Sequence, residues 1–153
     1  MSAISTSFAT VEDLMTADPV LASVDLPVTD AAELLAFYQI SGLPVLDWIG
    51  YLAGVISQTD ILRAQADEQV SSPWTLAVRD VMTRPALTVR PGTTLEEAAR
   101  LMTEQHVHRL VVVDGRGTVV GVISSSDLVR AVAESWEDHH PAPTGLELSV
   151  ELS

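Results

Sequence analysis

The sequence contains no cysteine and no lysine. Without cysteine, the chain cannot form disulfides, zinc–thiolate sites or a thiol nucleophile. It also lacks a Gly-x-Ser-x-Gly element, a Gly-rich phosphate loop ending in lysine, and a pair of carboxylates on one face. None of these catalytic signatures is present, so we expect a protein that is not an enzyme.

Long apolar runs are also absent. No segment approaches the roughly 18 uninterrupted apolar residues that a membrane span needs. Residues 1–10 have neither the basic cluster nor the apolar core of a secretory signal. We therefore expect a cytoplasmic protein without a membrane partner.

Positive charge is scarce. The 8 basic residues are all arginines, and with 21 acidic residues they give a formal net charge of −13. A surface this acidic repels phosphate backbones and anionic lipid, which argues against nucleic acid as a partner. A bound phosphate would need a local basic spot, so the position of each arginine is informative.

The chain does contain an internal duplication. Residues 10–64 align without a gap on residues 77–131, and 18 of the 55 pairs are identical, where chance would give roughly 4. Apolar residues make up 47% of the chain, enough to bury a core. A solenoid needs more than two copies, so the duplication predicts a closed pseudo-twofold pair.

Each copy has the residue pattern of a β-α-β-β-α unit. In the second copy, Thr94 followed by Glu97 has capping-box spacing, and apolar β-branched runs predict strands. The predicted elements are a helical turn at Val78–Met82, strands at Ala86–Val89, Arg109–Val113 and Val119–Ile123, a hairpin turn at Asp114–Gly117, and helices from Thr94 and from Ser124, the last with Leu128, Val129 and Val132 facing inward.

These units predict an α/β sandwich with one shared core. We expect repeat 1 at residues 10–64, a linker at 65–76, repeat 2 at 77–135 and a C-terminal tail at 136–153. The prolines after Trp136 predict that the last helix stops there. Residues 146–152 alternate apolar and polar, which suits a strand on a sheet edge or on a second chain, although an unpaired strand would stay disordered.

Several motifs occur in both copies and in the same order. They are Asp13–Thr16 with Asp80–Thr83, Pro44–Asp47 with Val111–Asp114, and Gly54–Asp60 with Gly121–Asp127. Together they resemble a pair of cystathionine-beta-synthase-type (CBS) repeats, a Bateman module. Residues 107–114 are similar to the last repeat of the gamma subunit of AMP-activated protein kinase.

The resemblance implies two repeats packed through their sheets, with two symmetry-related clefts and a tendency to form homodimers. It implies a regulatory sensor whose ligand is an adenosine compound such as AMP, ADP, ATP or S-adenosylmethionine, and no resident cofactor. The effector protein that would receive the signal is unknown.

The first expected cleft combines the Ser-x-x-Asp element of repeat 1 with the basic end of repeat 2. An aspartate at a helix start can accept two hydrogen bonds from a ribose diol, whereas phosphate needs donors and positive charge. By family analogy we expect Asp60 to hold ribose, Val107 to contact adenine, and His108 and Arg109 to hold phosphate. The full predicted set is Ser57, Asp60, Thr83, Arg84, Pro85, Val107, His108 and Arg109.

The second expected cleft is weaker for phosphate. Its ribose anchor is Asp127, but Ser41 and Gly42 replace His108 and Arg109, and Asp18 adds negative charge. A neutral or positively charged adenosine ligand, or none, suits it better, so the two sites should be unequal. Its predicted residues are Thr16, Ile40, Ser41, Ser124 and Asp127, with Ala17, Asp18 and Gly42 beside them.

Three other interpretations remain open. Asp60 and Asp127 could serve only as helix-start residues. The module could be a ligand-free structural element for dimerisation. A metal could bind the acidic and histidine residues near the last helix end, but a solvated tail explains that cluster better, and we expect no metal site; the cluster comprises Glu134, Glu137, Asp138, His139 and His140.

Overall fold

The computed structural model describes residues 10–67, 69 and 72–139, with only the backbone at 73 and 137–139. The elements in chain order are α1 (Val11–Leu14), β1 (Thr16–Ala17), β2 (Ala22–Ser23), α2 (Val28–Tyr38), β3 (Gly42–Leu46), β4 (Leu52–Ser57), α3 (Gln58–Ala66), a 3₁₀ turn (Pro73–Thr75), α4 (Val78–Val81), β5 (Thr88–Val89), α5 (Leu95–Gln105), β6 (Arg109–Val113), β7 (Val119–Ser124) and α6 (Ser125–His139).

The strands form two sheets, one for each repeat. One sheet has the order β2-β3-β4 and the other β1-β7-β6-β5. In each, the short strand before the long helix runs parallel to the central strand, and the hairpin that follows is antiparallel. This arrangement confirms the predicted mixed α/β fold of two tandem units.

The first segment of each repeat packs on the other repeat. Val11 of α1 is fully buried in the core under the second sheet, and its N–H donates to the Thr93 carbonyl at 2.8 Å. Conversely, Val78 of α4 is buried under the first sheet and donates to the Leu26 carbonyl at 2.8 Å. Each repeat therefore supplies part of its partner's core.

The extended segments after these helical turns are exchanged as well. Thr16 and Ala17 pair with β7, and Thr83 forms a two-bond bridge with Val55 of β4, at 2.9 and 3.0 Å. As a result, the buried apolar residues form two clusters, each built from both repeats. Our expectation of a single shared core was wrong in this respect.

Helix α6 departs from two further expectations. Leu128 is buried, but Val129 and Val132 are exposed, because Leu128 and Ala131 occupy the inner face and each following residue is rotated by about 100°. The helix also continues beyond Trp136, as far as His139 in the described part of the chain. Proline disfavours helical backbone at the residue before it, so Pro141 first restricts residue 140.

Two remaining expectations concern the C-terminal segment and membrane spans. The amphipathic segment at 146–152 lies outside the described residues. Among the residues that the structure does describe, no helix is both long and apolar enough to cross a membrane.

Candidate functional site

The two Ser-x-x-Asp elements begin helices α3 and α6, and each forms a reciprocal capping box. In the first, the Asp60 amide donates to Ser57 Oγ at 3.1 Å, and the Ser57 amide donates to Asp60 Oδ2 at 2.9 Å. In the second, the Asp127 amide donates to Ser124 Oγ at 3.2 Å, and the Ser124 amide donates to Asp127 Oδ2 at 2.8 Å. Oδ2 of each aspartate therefore serves its own helix.

The second carboxylate oxygen, Oδ1, distinguishes the two aspartates. Asp60 Oδ1 accepts a 2.8 Å hydrogen bond from the Thr83 hydroxyl and lies 3.5 Å from Arg63 Nη1. Asp127 Oδ1 accepts a 3.2 Å bond from Arg130 Nη2. The Asp60 side chain is 4% exposed, against 15% for Asp127. Oδ1 of Asp127 is thus the more accessible acceptor.

The first cleft, which we call the Asp60 cleft, has a volume of about 330 Å³, within the range of small-molecule sites. It brings together seven of the eight residues predicted for it: Ser57, Asp60, Thr83, Pro85, Val107, His108 and Arg109. Its walls also contain Val55, Thr59, Arg63, Ala86, Leu87 and His106, which sequence reasoning did not assign to it.

Arg84 is the exception in the predicted set. Thr83 and Pro85 line the Asp60 cleft, but the Arg84 side chain lies against Gly54, where an added Cβ would meet its Cγ at 3.2 Å. Successive residues of an extended segment point to opposite sides, so Arg84 points away from the cleft that Thr83 and Pro85 line. The alternation could have been read from the sequence.

The second cleft, the Asp127 cleft, is larger, with a volume of about 480 Å³. It contains all five predicted residues, Thr16, Ile40, Ser41, Ser124 and Asp127, together with Asp18 and Gly42. Ala17 is not among its lining residues, whereas Pro19, Val20, Tyr38, Gln39, Gln58, Val122 and Arg109 are.

Arg109 lines both clefts. Its Nη2 donates to Ser41 Oγ at 2.8 Å, so the guanidinium reaches the Asp127 cleft. The replacement of His108 and Arg109 by Ser41 and Gly42 therefore does not leave this cleft without a cationic side chain, and its weaker affinity for phosphate stays a prediction. The Arg109 side chain can lie there because Gly42 has no side chain: a Cβ added at Gly42 would lie 2.7 Å from Arg109 Nε. Because Gly42 and Arg109 occupy equivalent positions in the two repeats, their unequal size was the available signal.

The electrostatic setting of Arg109 is unusual for an arginine. Burial lowers the pKa of the guanidinium from its ordinary value, and the negative charge of Asp60 opposes that shift. An arginine stays charged at neutral pH even so. A partly desolvated cation is thus available to an anionic group in either cleft.

The starts of the two central strands are positioned by matching helix ends. Gln39 and His106 adopt left-handed backbone with φ near +55°, which turns the chain out of α2 and α5. The following N–H groups, of Ile40 and Val107, donate to carbonyls at the ends of those helices, at 3.1 and 3.0 Å. Because its N–H is already paired with the helix end, Val107 can contact a base through its apolar side chain and its carbonyl.

The metal alternative gains no support from the described residues, among which no group of three or more His, Asp or Glu side chains could hold an ion. His140 and the side chains of Glu137, Asp138 and His139 lie outside what is described.

A family model for the CBS domain matches the chain twice, at residues 11–67 and 78–134. The chain belongs to the CBS-domain family. The resemblance noted in its motifs is thereby confirmed, and the two clefts lie between its CBS repeats.

Two solved CBS structures are similar over most of the chain. The crystal structure of CBSX2 in complex with AMP is 38% identical, with a TM-score of 0.71 over 82% of this chain and 96% of that chain. The CBS domain pair of protein MJ0100, in complex with 5′-methylthioadenosine and S-adenosyl-L-methionine, is 27% identical, with a TM-score of 0.75 over 86% and 98%.

Curated relatives place CBS repeats in longer proteins. CBSX2 of Arabidopsis thaliana, a chloroplastic CBS domain-containing protein, is 36% identical over 132 residues, covering 70% of this chain and 56% of that protein. The inosine-5′-monophosphate dehydrogenase of Mycobacterium tuberculosis is 34% identical over 131 residues, covering 85% of this chain but 22% of the enzyme. The likeness to the dehydrogenase is thus confined to a minor part of that protein.

Proposed function

We propose that this chain is a regulatory module that binds an adenosine compound in the clefts between its CBS repeats. One observation carries the proposal: each cleft is lined both by a helix-start aspartate, Asp60 or Asp127, and by the guanidinium of Arg109. A carboxylate suits the two hydroxyl donors of a ribose, and a guanidinium suits phosphate.

The remaining lining residues suit the base. Apolar side chains such as Val107 and Leu87 in one cleft, and Ile40 and Val122 in the other, offer surfaces for a purine ring. A carbonyl at the start of the strand can accept from the 6-amino group of adenine, which is a donor. Adenine, ribose and phosphate thus each have a chemically matched partner.

A phosphorylated nucleotide is the ligand class we favour. CBSX2, whose crystal structure contains AMP, is 38% identical, and the MJ0100 pair, which holds methylthioadenosine and S-adenosylmethionine, is 27% identical. Arg109 also favours an anionic group over a sulfonium. AMP, ADP or ATP is therefore proposed ahead of S-adenosylmethionine.

Thermal melting tests this proposal. AMP at about 100 times its dissociation constant should stabilise the fold by roughly 2.7 kcal/mol. Asp127→Ala and Asp60→Ala should each remove one cleft's contribution, and Arg109→Gln should weaken AMP while sparing adenosine. Tyr51→Ala, at an exposed hairpin position, is the control. If no adenosine compound at millimolar concentration raises the melting temperature, the ligand-free structural module is the better account.

An exposed apolar face supports homodimer formation, which we propose as a second function of the chain. Leu62 of α3 and Val129 of α6 occupy equivalent positions in the two repeats and are 63% and 67% exposed. Val132 and Trp136 extend the apolar side of α6. Exposed apolar residues at related positions suit an isologous interface, in which one patch meets its own copy.

Sedimentation measures this directly. Val129→Asp places a charge on the exposed apolar face and should convert a dimer to a monomer. Val119→Asp is not a suitable control, because Val119 is half-buried in β7 and lies away from this face. The control is therefore Glu134→Gln, at an exposed position of α6. A wild-type chain that sediments as a monomer at high concentration contradicts the dimer.

Regulation would follow from the position of the ligand. Because it contacts both repeats, it favours the arrangement of repeats or protomers that it binds best. The signal would pass to an effector protein rather than to catalysis within these repeats. The cytoplasmic location expected from the sequence stays a prediction.

A further inference from the structure

The two clefts share one guanidinium, that of Arg109. Arg109 lines both, and its Nη2 is held by Ser41 Oγ at 2.8 Å, on the side of the Asp127 cleft. On the side of the Asp60 cleft, the negative charge of Asp60 attracts the same guanidinium. A group placed between two partners in this way can serve either one, but one planar fork cannot bind two phosphates fully at the same time.

The clefts differ in what they contain without Arg109. The Asp60 cleft is also lined by Arg63, His106 and His108. Among the described residues that line the Asp127 cleft, Arg109 is the one cationic side chain, and Asp18 and Asp127 are acidic. Withdrawing Arg109 would therefore leave the Asp127 cleft with a negative wall.

We propose that Arg109 is a shared phosphate-binding residue that makes the two clefts antagonistic toward phosphorylated ligands. The inference rests on the proposed adenosine-binding function and deepens it. When a phosphorylated ligand in the Asp60 cleft engages Arg109, the bond to Ser41 is lost and the Asp127 cleft disfavours a second anion. An uncharged adenosine makes no demand on the guanidinium, so two adenosines bind without this conflict.

The size of the antagonism follows from what the second phosphate loses. A charge-assisted hydrogen-bond partner contributes about 10- to 100-fold in affinity. The second AMP should therefore bind about 10- to 100-fold more weakly than it binds the same cleft when the other cleft is disabled. The same comparison for adenosine should give a ratio near one.

Calorimetric titration with AMP and with adenosine can measure both ratios. The proteins are the wild type and two single-cleft variants, Asp60→Asn and Asp127→Asn, whose amide oxygen can still accept from the cap backbone. Circular dichroism verifies their folding. In these backgrounds Ser41→Ala provides a signed test, because freeing Arg109 should strengthen AMP in the Asp60 cleft and weaken it in the Asp127 cleft. Adenosine affinity in the Asp60 cleft, which Ser41 does not line, should not change.

The outcomes separate the two proposals. If two AMP molecules bind the wild type with the constants of the single-cleft variants, the sharing of Arg109 is wrong and the adenosine function stands. If the antagonism persists in Arg109→Gln, a different group causes it and the inference is also wrong. If neither adenosine nor AMP binds any of these proteins, the proposed function itself fails.

Discussion

Gly54→Ala tests the exchange of segments between the repeats, on which both clefts depend. A Cβ at Gly54 would lie 2.5 Å from the carbonyl oxygen of Thr83, almost an ångström inside an ordinary contact. Thr83 cannot yield easily, because two backbone hydrogen bonds of 2.9 and 3.0 Å hold it to Val55. Overpacking of this kind costs about 1–3 kcal/mol.

Two other glycines calibrate that cost. At Gly121, the equivalent position, the nearest atom to an added Cβ is Met15 Sδ, also at 2.5 Å, and the backbone oxygen of Thr16 follows at 3.0 Å. A flexible thioether can move aside, so Gly121→Ala should cost less than Gly54→Ala. Nothing lies within 4 Å of an added Cβ at Gly92, so Gly92→Ala should be neutral or slightly stabilising.

Urea unfolding of the three variants gives the free energies directly, and each kcal/mol should also lower Tm by about 2–4 °C in a chain of this size. The expected order of destabilisation is Gly54→Ala, then Gly121→Ala, then Gly92→Ala. Should Gly54→Ala prove as stable as Gly92→Ala, Thr83 does not pack on β4, and the exchanged architecture is incorrect.

Two further predictions concern single side chains. Thr83→Val removes the hydroxyl that donates to the buried Asp60 Oδ1 at 2.8 Å and should lower the free energy of unfolding by about 1–3 kcal/mol. Thr16 and Thr83 are both exposed and occupy equivalent positions, so Thr16→Val is the matched control and should change the free energy of unfolding by less than about 0.5 kcal/mol. Backbone N–H groups of Thr118 and Arg116 donate to Asp114 and lower its pKa. The stability that this carboxylate contributes is therefore fully present above the unfolded pKa of about 3.9. It is lost as the pH falls through the lower pKa of the folded state. A carbon-13 NMR titration of Asp114 with a midpoint at or above the unfolded value would contradict this.

Much of the fold could be predicted because its signals are local. The run Arg109–Val113 gave the bounds of β6 as the structure has them, and Thr94 caps α5 by accepting from the Glu97 amide at 3.1 Å. Alternation, capping residues and turn residues act within a few positions. The duplication then carried each assignment from one repeat to the other.

The exchange of segments could not be predicted in the same way. Val11 and Val78 have equivalent sequence contexts, and either could in principle pack on its own repeat or on the other. The choice depends on which repeat offers an open carbonyl just before its long helix, Thr93 for Val11 and Leu26 for Val78. Such tertiary contacts leave no local pattern.

The site was predictable in its membership but less so in its electrostatics. The motifs identified Asp60 and Asp127, but their first task is to cap their own helices, as the simpler interpretation held. The direction of Arg109 depends on the gap beside Gly42. The sequence shows that these two equivalent residues differ in size, but not that they lie against each other.

The central claim is that an adenosine compound binds between the repeats. An amide NMR titration with AMP tests it most directly, with adenosine and inorganic phosphate as separate controls. We predict that the largest shifts fall at residues 40–42, 57–60, 107–109 and 124–127, and that adenosine reproduces all of them except those nearest Arg109. Shifts that are absent, or that fall instead on the exposed face of α6 around Val129, would contradict the account.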